Sequence, residues 1–192
     1  MDLRQRRKLE TTRLIHETAV QLARQGGVDG VTVEAICAAA GISQRTFFNY
    51  FPFKEAVFVF PPPPLPQPAQ ARFLAGQGEL LADLIDLLEA QAVEMSGTRW
   101  VGPLMREISQ AYPRLMPLQM AEFEKFEAEL KRLVAQRLHA ETDDPRVLAL
   151  AGAAIGTSRI VLRRWMDDPA ADVPARLREA LESLVRMIRG SL

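Results

Sequence analysis

Residues 32–54 read TVEAICAAAGISQRTFFNYFPFK, and their pattern decides the fold. Thr32 precedes an apolar-periodic run, where its hydroxyl can accept a bond from a backbone N–H that a helix leaves unpaired at its start. The spacing predicts a first helix over about 33–40, with Ile36, Ala39 and Ala40 as a narrow apolar face and small neighbours that let another helix approach. Gly41 ends it, since glycine enters the left-handed conformation of a C′ position without a Cβ clash. Ile42 anchors the turn and Ser43 is placed to cap a second helix, in which Phe47 and Phe51 recur at i and i+4 on the inward side. The other side holds Gln44, Arg45, Phe48, Asn49 and Tyr50, donors and flat rings that a helix does not need in order to stay folded. Two short helices joined at a glycine, the second with such a face, form a helix-turn-helix, whose recognition helix meets base edges in the major groove.

The block resembles the N-terminal signature of the tetracycline-repressor (TetR) family of bacterial transcription regulators. The matching residues are Thr32, Val33, Ile36, Ala40, Gly41, Ser43, Thr46, Phe47, Phe48, Tyr50, Phe51 and Lys54, and the likeness covers about the first 57 residues. Cys37 stands where alanine is usual, a change that a small buried thiol makes at little cost. The resemblance implies that Gln44, Arg45, Phe48 and Asn49 look into the major groove while Thr32, Thr46, Tyr50 and Lys54 hold phosphates. It also implies a helix that starts at Lys54 and runs into a second domain. The prolines of this chain stop that helix near residue 60.

Composition sets outer limits. A chain of 192 residues, 48% hydrophobic, fits one or two domains with ample core. A single cysteine cannot close an internal disulfide, so a reducing cytoplasm is expected. The N-terminus, MDLRQRRKLETT, is charged, and no run of about 18 apolar residues is visible, so neither secretion nor a membrane is expected. Net charge is zero, yet residues 1–55 hold eight Lys/Arg against six Asp/Glu, and the remainder sixteen against eighteen. Arg4, Arg6, Arg7 and Lys8 crowd into five residues, an arm suited to neutralising phosphates or entering a minor groove. Its plainer reading is a solvated terminus.

The periodicity predicts an all-α chain: a three-helix DNA-binding domain over 1–57, a proline-rich linker over 58–76, and a helical effector-binding and dimerisation domain over 77–192. The first helix, about 4–25, packs Ile15, Ala19, Leu22 and Ala23 inward and ends at Gly26-Gly27. Pro61 to Pro64, Pro66 and Pro68 exclude an α-helix and favour an extended strut; a semi-rigid linker is the ordinary reading and a docking peptide the alternative. Beyond it, Leu81, Leu84, Leu88, Ala92 and Met95 form one stripe, and Phe123, Phe126, Leu130, Leu133 and Val134 another. The last two helices begin at Pro145 and Pro174, each proline suiting a first helical turn.

Those last helices are expected to pair two subunits through Gly152, Ile155, Gly156, Leu162, Leu177, Leu181, Leu184 and Ile188, the glycines allowing a second backbone to come near. The alternative is that these faces are the chain's own core. A homodimer suits a palindromic double-stranded operator with half-sites about 34–36 Å apart. Trp100, Met105, Tyr112, Met116, Met120, Phe123, Phe126 and Trp165 supply the surface of an apolar pocket, with Arg106, Glu107 and Arg159 as candidate polar anchors. The second half is also similar to the mycofactocin-regulator subgroup of the TetR family, which implies acyl-coenzyme A or related long apolar acids as a small apolar effector.

Catalysis has little support. His16 and His139 have no partner at metal-ligand or triad spacing and read as surface or local helix contacts, so no metal, cofactor or catalytic residue is expected. Three readings remain open: a dimeric repressor released by an effector, a DNA-binding dimer without one, and a helical enzyme or carrier that keeps the N-terminal fold for packing.

Overall fold

Thr32, Gly41 and Ser43 each end or begin a helix at the positions their chemistry dictates, and the rest of the chain follows helical periodicity. A computed structural model describes residues 3–76, 78–96, 100–168, 170–188 and 190. Every α-helical or strand element among them is a helix: α1 (Leu3–Gly30), α2 (Val33–Ala40), α3 (Gln44–Tyr50), α4 (Gln67–Ala75), α5 (Leu80–Ser96), α6 (Val101–Ala111), α7 (Met116–Leu138), α8 (Pro145–Asp167) and α9 (Val173–Ile188). Short 3-10 turns cover Lys54–Phe58 and Pro113–Leu115.

The chain forms two compact units, Met1–Phe60 with Leu104–Met120, and Pro61–Pro103 with Ala121–Leu192. In the first, α1 packs on α2 and on the Lys54–Phe58 turn, and α2 on α3. Its buried side chains include Ile15, Ala19, Val20, Ala23, Ile36, Phe47 and Val57. Gly27, at φ 72° and ψ 160°, interrupts α1 where the glycine pair predicts its end, but helix resumes to Gly30. In α2 the inward pair is Ile36 and Cys37 rather than Ile36 with Ala39, which is exposed.

In the second unit α5 packs on α9 and α4, and α8 on α9. Leu84, Leu87, Leu88, Leu130, Leu133, Val134, Ala151 and Trp165 fill its core. Arg178 of α9 reaches Asp86 at 2.5 Å and also Glu89, both on α5, fixing that helix pair at its polar edge. The segment 58–76 is less uniform than a proline strut. Pro61 to Pro66 carry no helix, but α4 follows at once with Pro68 in its first turn, where a missing N–H costs no intrahelical bond. Leu65, Ala69 and Phe73 are buried in this unit's core, and the Pro63 carbonyl accepts from Gln91 at 2.7 Å. A segment so engaged is poorly placed to serve as a docking peptide. Helix α8 is long and apolar enough, by length and composition, to cross a membrane, although Arg146 and Arg159 interrupt it so that it holds no unbroken apolar run of that length. Val147, Ala151, Ala154, Ile155, Val161 and Trp165 on that helix form one face buried within the unit, while 28% of its apolar window is buried in all.

Candidate nucleic-acid interface

The helix-turn-helix is locked by side chains that also expose its outer face. Thr32 Oγ1 accepts from the Ala35 N–H at 3.1 Å, opening α2, and Gly41 closes it at φ 66° and ψ 33°, a conformation that disfavours any residue with a Cβ. Ser43 Oγ accepts from the Thr46 N–H at 3.0 Å and meets Thr46 Oγ1 at 2.8 Å, so α3 starts at a fixed register. Phe47 is fully buried and packs on Phe51, ring centroids 5.5 Å apart, which pins one side of α3.

The opposite side faces outward. Gln44, Arg45 and Asn49 are exposed, Thr46 and Tyr50 are half-buried, and Phe48 is 50% exposed, its ring edge-on to Phe47. Phe48 thus leaves a large aromatic ring half in water beside the exposed donors of Gln44, Arg45 and Asn49. Gln44 Nε2 donates to Glu34 Oε1 at 3.1 Å, a contact with no obvious signal in the sequence. Thr32 is exposed, and Lys54 turns its ammonium to the Val28 carbonyl at 3.3 Å and to Glu55 at 3.7 Å. Arg7 and Lys8 are exposed on α1; Arg4 and Arg6 belong to the same helix, with side chains outside the described residues.

Comparison with known proteins bears on this geometry. Residues 15–59 match the model of the bacterial regulatory proteins of the tetR family, and residues 88–189, more than half of the chain, match that of the MftR C-terminal domain. The chain is a TetR-family transcriptional regulator. It is similar to the HTH-type transcriptional regulator TcmR of Streptomyces glaucescens, 28% identical over 203 aligned positions covering 99% of this chain and 88% of that one. It is also similar to MftR of Mycobacterium tuberculosis (strain ATCC 25618 / H37Rv), named as a candidate mycofactocin biosynthesis regulator, at 26% identity over 92% of this chain and 90% of the other. Among solved structures, the fatty acid degradation regulator FadR of Bacillus halodurans shares the fold at TM-score 0.54 and 19% identity, covering 90% and 93% of the two chains. FadR of Thermus thermophilus, a repressor solved with lauroyl-CoA, does so at TM-score 0.50 and 22% identity, covering 91% and 93%. The regulator therefore binds DNA and dimerises as its family does, and it is not an enzyme.

Within the regulator's first unit, residues 104–120 are tied to the helix-turn-helix body by polar contacts. Arg24 on α1 grips Glu107 on α6 with two bonds, at 2.7 and 2.6 Å, and holds that carboxyl below its ordinary range. The Tyr112 hydroxyl donates to the Ala23 carbonyl at 3.0 Å, and Arg114 pairs with Asp29 at 2.5 Å. Gln119 bonds both the N–H and the carbonyl of Phe60. Glu107, a candidate pocket anchor in the sequence, is thus occupied by Arg24, and Tyr112 is turned to α1.

His16 corrects a second expectation. It is 4% exposed, not a surface residue: its ring stacks on Phe60 at 4.7 Å, lies edge-on to Phe51 at 4.9 Å, and donates from Nδ1 to the Val57 carbonyl at 2.5 Å. Burial drives its pKa down to about 4 against the partial support of that hydrogen bond, so it is a neutral core residue at physiological pH. Cys37 is also buried, and desolvation raises its pKa, as befits an inert thiol. No group of three or more His, Cys, Asp and Glu able to hold a metal occurs among the described residues.

The pocket candidates divide. Met105, Arg106, Tyr112, Met116 and Met120 belong to the first unit, and Trp100, Phe123, Phe126, Arg159 and Trp165 to the second. Trp165 is 2% exposed and sits in the core, where a Cβ on Gly102 would come within 3.3 Å of its ring. Arg159 lies over the Phe123 ring at 5.6 Å from its centroid. Phe126 is half-buried against the second core, and Arg106 and Met116 are exposed.

The dimer candidates divide as well. Ile155, Leu177 and Leu181 are buried in the chain's own core, because the inward stripes of α8 and α9 are consumed by packing on each other and on α5. Leu162 and Leu184 are half-buried, and Ile188 lies outside the described side chains. Gly152 and Gly156 are exposed, and a Cβ on either would meet nothing within 4 Å. Two exposed apolar residues on the same helix, Leu148 at 47% and Ile160 at 64%, complete that surface.

Proposed function

We propose that the regulator is a dimeric repressor of a palindromic operator. Gln44, Arg45, Phe48 and Asn49 of each subunit contact base edges, and Thr32, Thr46, Tyr50, Lys54 and the basic residues Arg4, Arg6, Arg7 and Lys8 contact phosphates. The observation that carries this reading is the division of α3: one side sealed by buried Phe47, the other offering Gln44, Arg45, half-exposed Phe48 and Asn49 to solvent. Paired subunits approach through Gly152, Gly156, Leu148 and Ile160 on α8. The protein acts in the cytoplasm, where its single cysteine stays reduced.

A small apolar effector, of the acyl thioester class, releases the operator in this reading. Two observations support it: an MftR-type C-terminal domain, and a fold neighbour, Thermus thermophilus FadR, solved with lauroyl-CoA. A third is that α6 beyond Leu104 belongs to the same compact unit as the helix-turn-helix, bonded to α1 through Glu107 and Tyr112, so a ligand that displaces α6 acts on that unit. Thermal melting and operator titration with a series of acyl-coenzyme A chain lengths test it. Stabilisation with loss of operator affinity supports release by the effector. Operator binding untouched by every chain length supports a dimer controlled without one.

A further inference from the structure

We propose that Glu34 is a positioning residue for sequence specificity, holding the Gln44 amide so that it selects adenine over guanine. The inference rests on the placement of α3 in the major groove argued above.

Both residues are fixed by their backbones. Thr32 caps α2 at the Ala35 N–H, which sets Glu34 in its first turn, and Ser43 caps α3 at the Thr46 N–H, which makes Gln44 its first residue. The left-handed Gly41 between them sets the approach of the two helix ends. Gln44 Nε2 lies 3.1 Å from Glu34 Oε1, joining the first turn of α2 to the first residue of α3. A carboxylate only accepts hydrogen bonds, so the amide must present its NH2 group to Glu34 and cannot be reversed.

The consequence concerns what remains. One N–H of Gln44 is committed, leaving a second N–H and both lone pairs of Oε1. Adenine shows N7 as acceptor and N6–H2 as donor in the major groove, which this remainder matches one for one. Guanine shows two acceptors, N7 and O6, so Oε1 faces one of them unfavourably, and the second amide N–H that could have relieved it is held by Glu34. Cytosine offers its N4 donor alone, and thymine an acceptor and a methyl group. An amide without Glu34 can turn its NH2 to the guanine edge and discriminates less.

The test is selection of double-stranded DNA from a random library by the full-length parent, Glu34→Ala, Glu34→Gln, Gln44→Ala and the double variant, with sequencing of the retained pool and thermal melting of each protein. The parent enriches a palindrome with adenine at one position in each half-site. Glu34→Ala lowers the adenine-over-guanine ratio there by roughly tenfold and leaves the other positions and the melting temperature unchanged. Glu34→Gln keeps an acceptor but adds a competing donor, and falls between. On the Gln44→Ala background, Glu34→Ala changes nothing further. An unaltered profile in Glu34→Ala, or an even loss of affinity for all sequences in both Glu34 variants, overturns the proposal. A parent that enriches no palindrome overturns the groove assignment itself, a result distinct from either.

Discussion

Gln119 holds the backbone of Phe60 at both ends: its Oε1 accepts the Phe60 N–H at 2.9 Å, and its Nε2 donates to the Phe60 carbonyl at 2.9 Å. Phe60 is the last residue before the proline run, so these bonds replace the helix or sheet partners that the chain cannot supply there. Its ring in turn stacks on His16. A single side chain from α7 therefore fixes the exit of the helix-turn-helix body.

Gln119→Leu should cost about 1–3 kcal/mol, because it leaves both partly buried backbone groups without partners. Gln119→Glu keeps the acceptor for the N–H but sets a carboxylate oxygen against the Phe60 carbonyl, and should cost at least as much. Urea unfolding checks both.

Acid should weaken the fold through His16. Its folded pKa, about 4, lies below its ordinary 6.5, so the unfolded chain binds more protons between those values. The contribution is fully present above pH 6.5 and is lost as pH falls toward 4, about 3 kcal/mol at the limit. His16→Phe, measured by urea midpoint from pH 4 to 7.5, should flatten that slope.

Two adjacent phenylalanines should behave oppositely. Phe47→Ala removes a fully buried ring and should cost about 3–5 kcal/mol, with DNA binding lost along with the fold. Phe48→Ala, at a half-exposed ring, should leave the melting temperature nearly unchanged and weaken DNA binding. Melting and titration side by side separate them.

Gly156→Leu should raise helix propensity by roughly 0.8–1 kcal/mol, since the chain itself puts nothing within 4 Å of the new Cβ. It should also block the approach of a second α8. Sedimentation should show monomers from a protein that is folded. A dimer as tight as the parent's would place the interface elsewhere.

The helix-turn-helix was legible because its signals are local: a cap at Thr32, a left-handed glycine at Gly41, a cap at Ser43, and Phe47 and Phe51 one turn apart. The helical class followed from periodicity for the same reason. His16 was misread although it shares the buried stripe of Ile15, Ala19, Val20 and Ala23, because a polar residue on that stripe is silent until its partner, the Val57 carbonyl 41 positions away, is in view. The contacts of Glu107 with Arg24 and of Tyr112 with Ala23 are likewise illegible in the sequence, because the partners are distant along the chain. Leu177 and Leu181 show a further limit: an apolar stripe looks the same whether it meets the chain's own helices or a second copy.

The most direct test of the account is titration of the selected palindrome and its single-base variants with the parent and with Gln44→Ala, Arg45→Ala, Phe48→Ala and Asn49→Ala, beside Thr46→Ala and Tyr50→Ala. The account predicts that the first four change base preference at defined positions by about 1–3 kcal/mol per lost contact, while the last two weaken all sequences evenly. Binding by the first four that matches the parent at every base would contradict it.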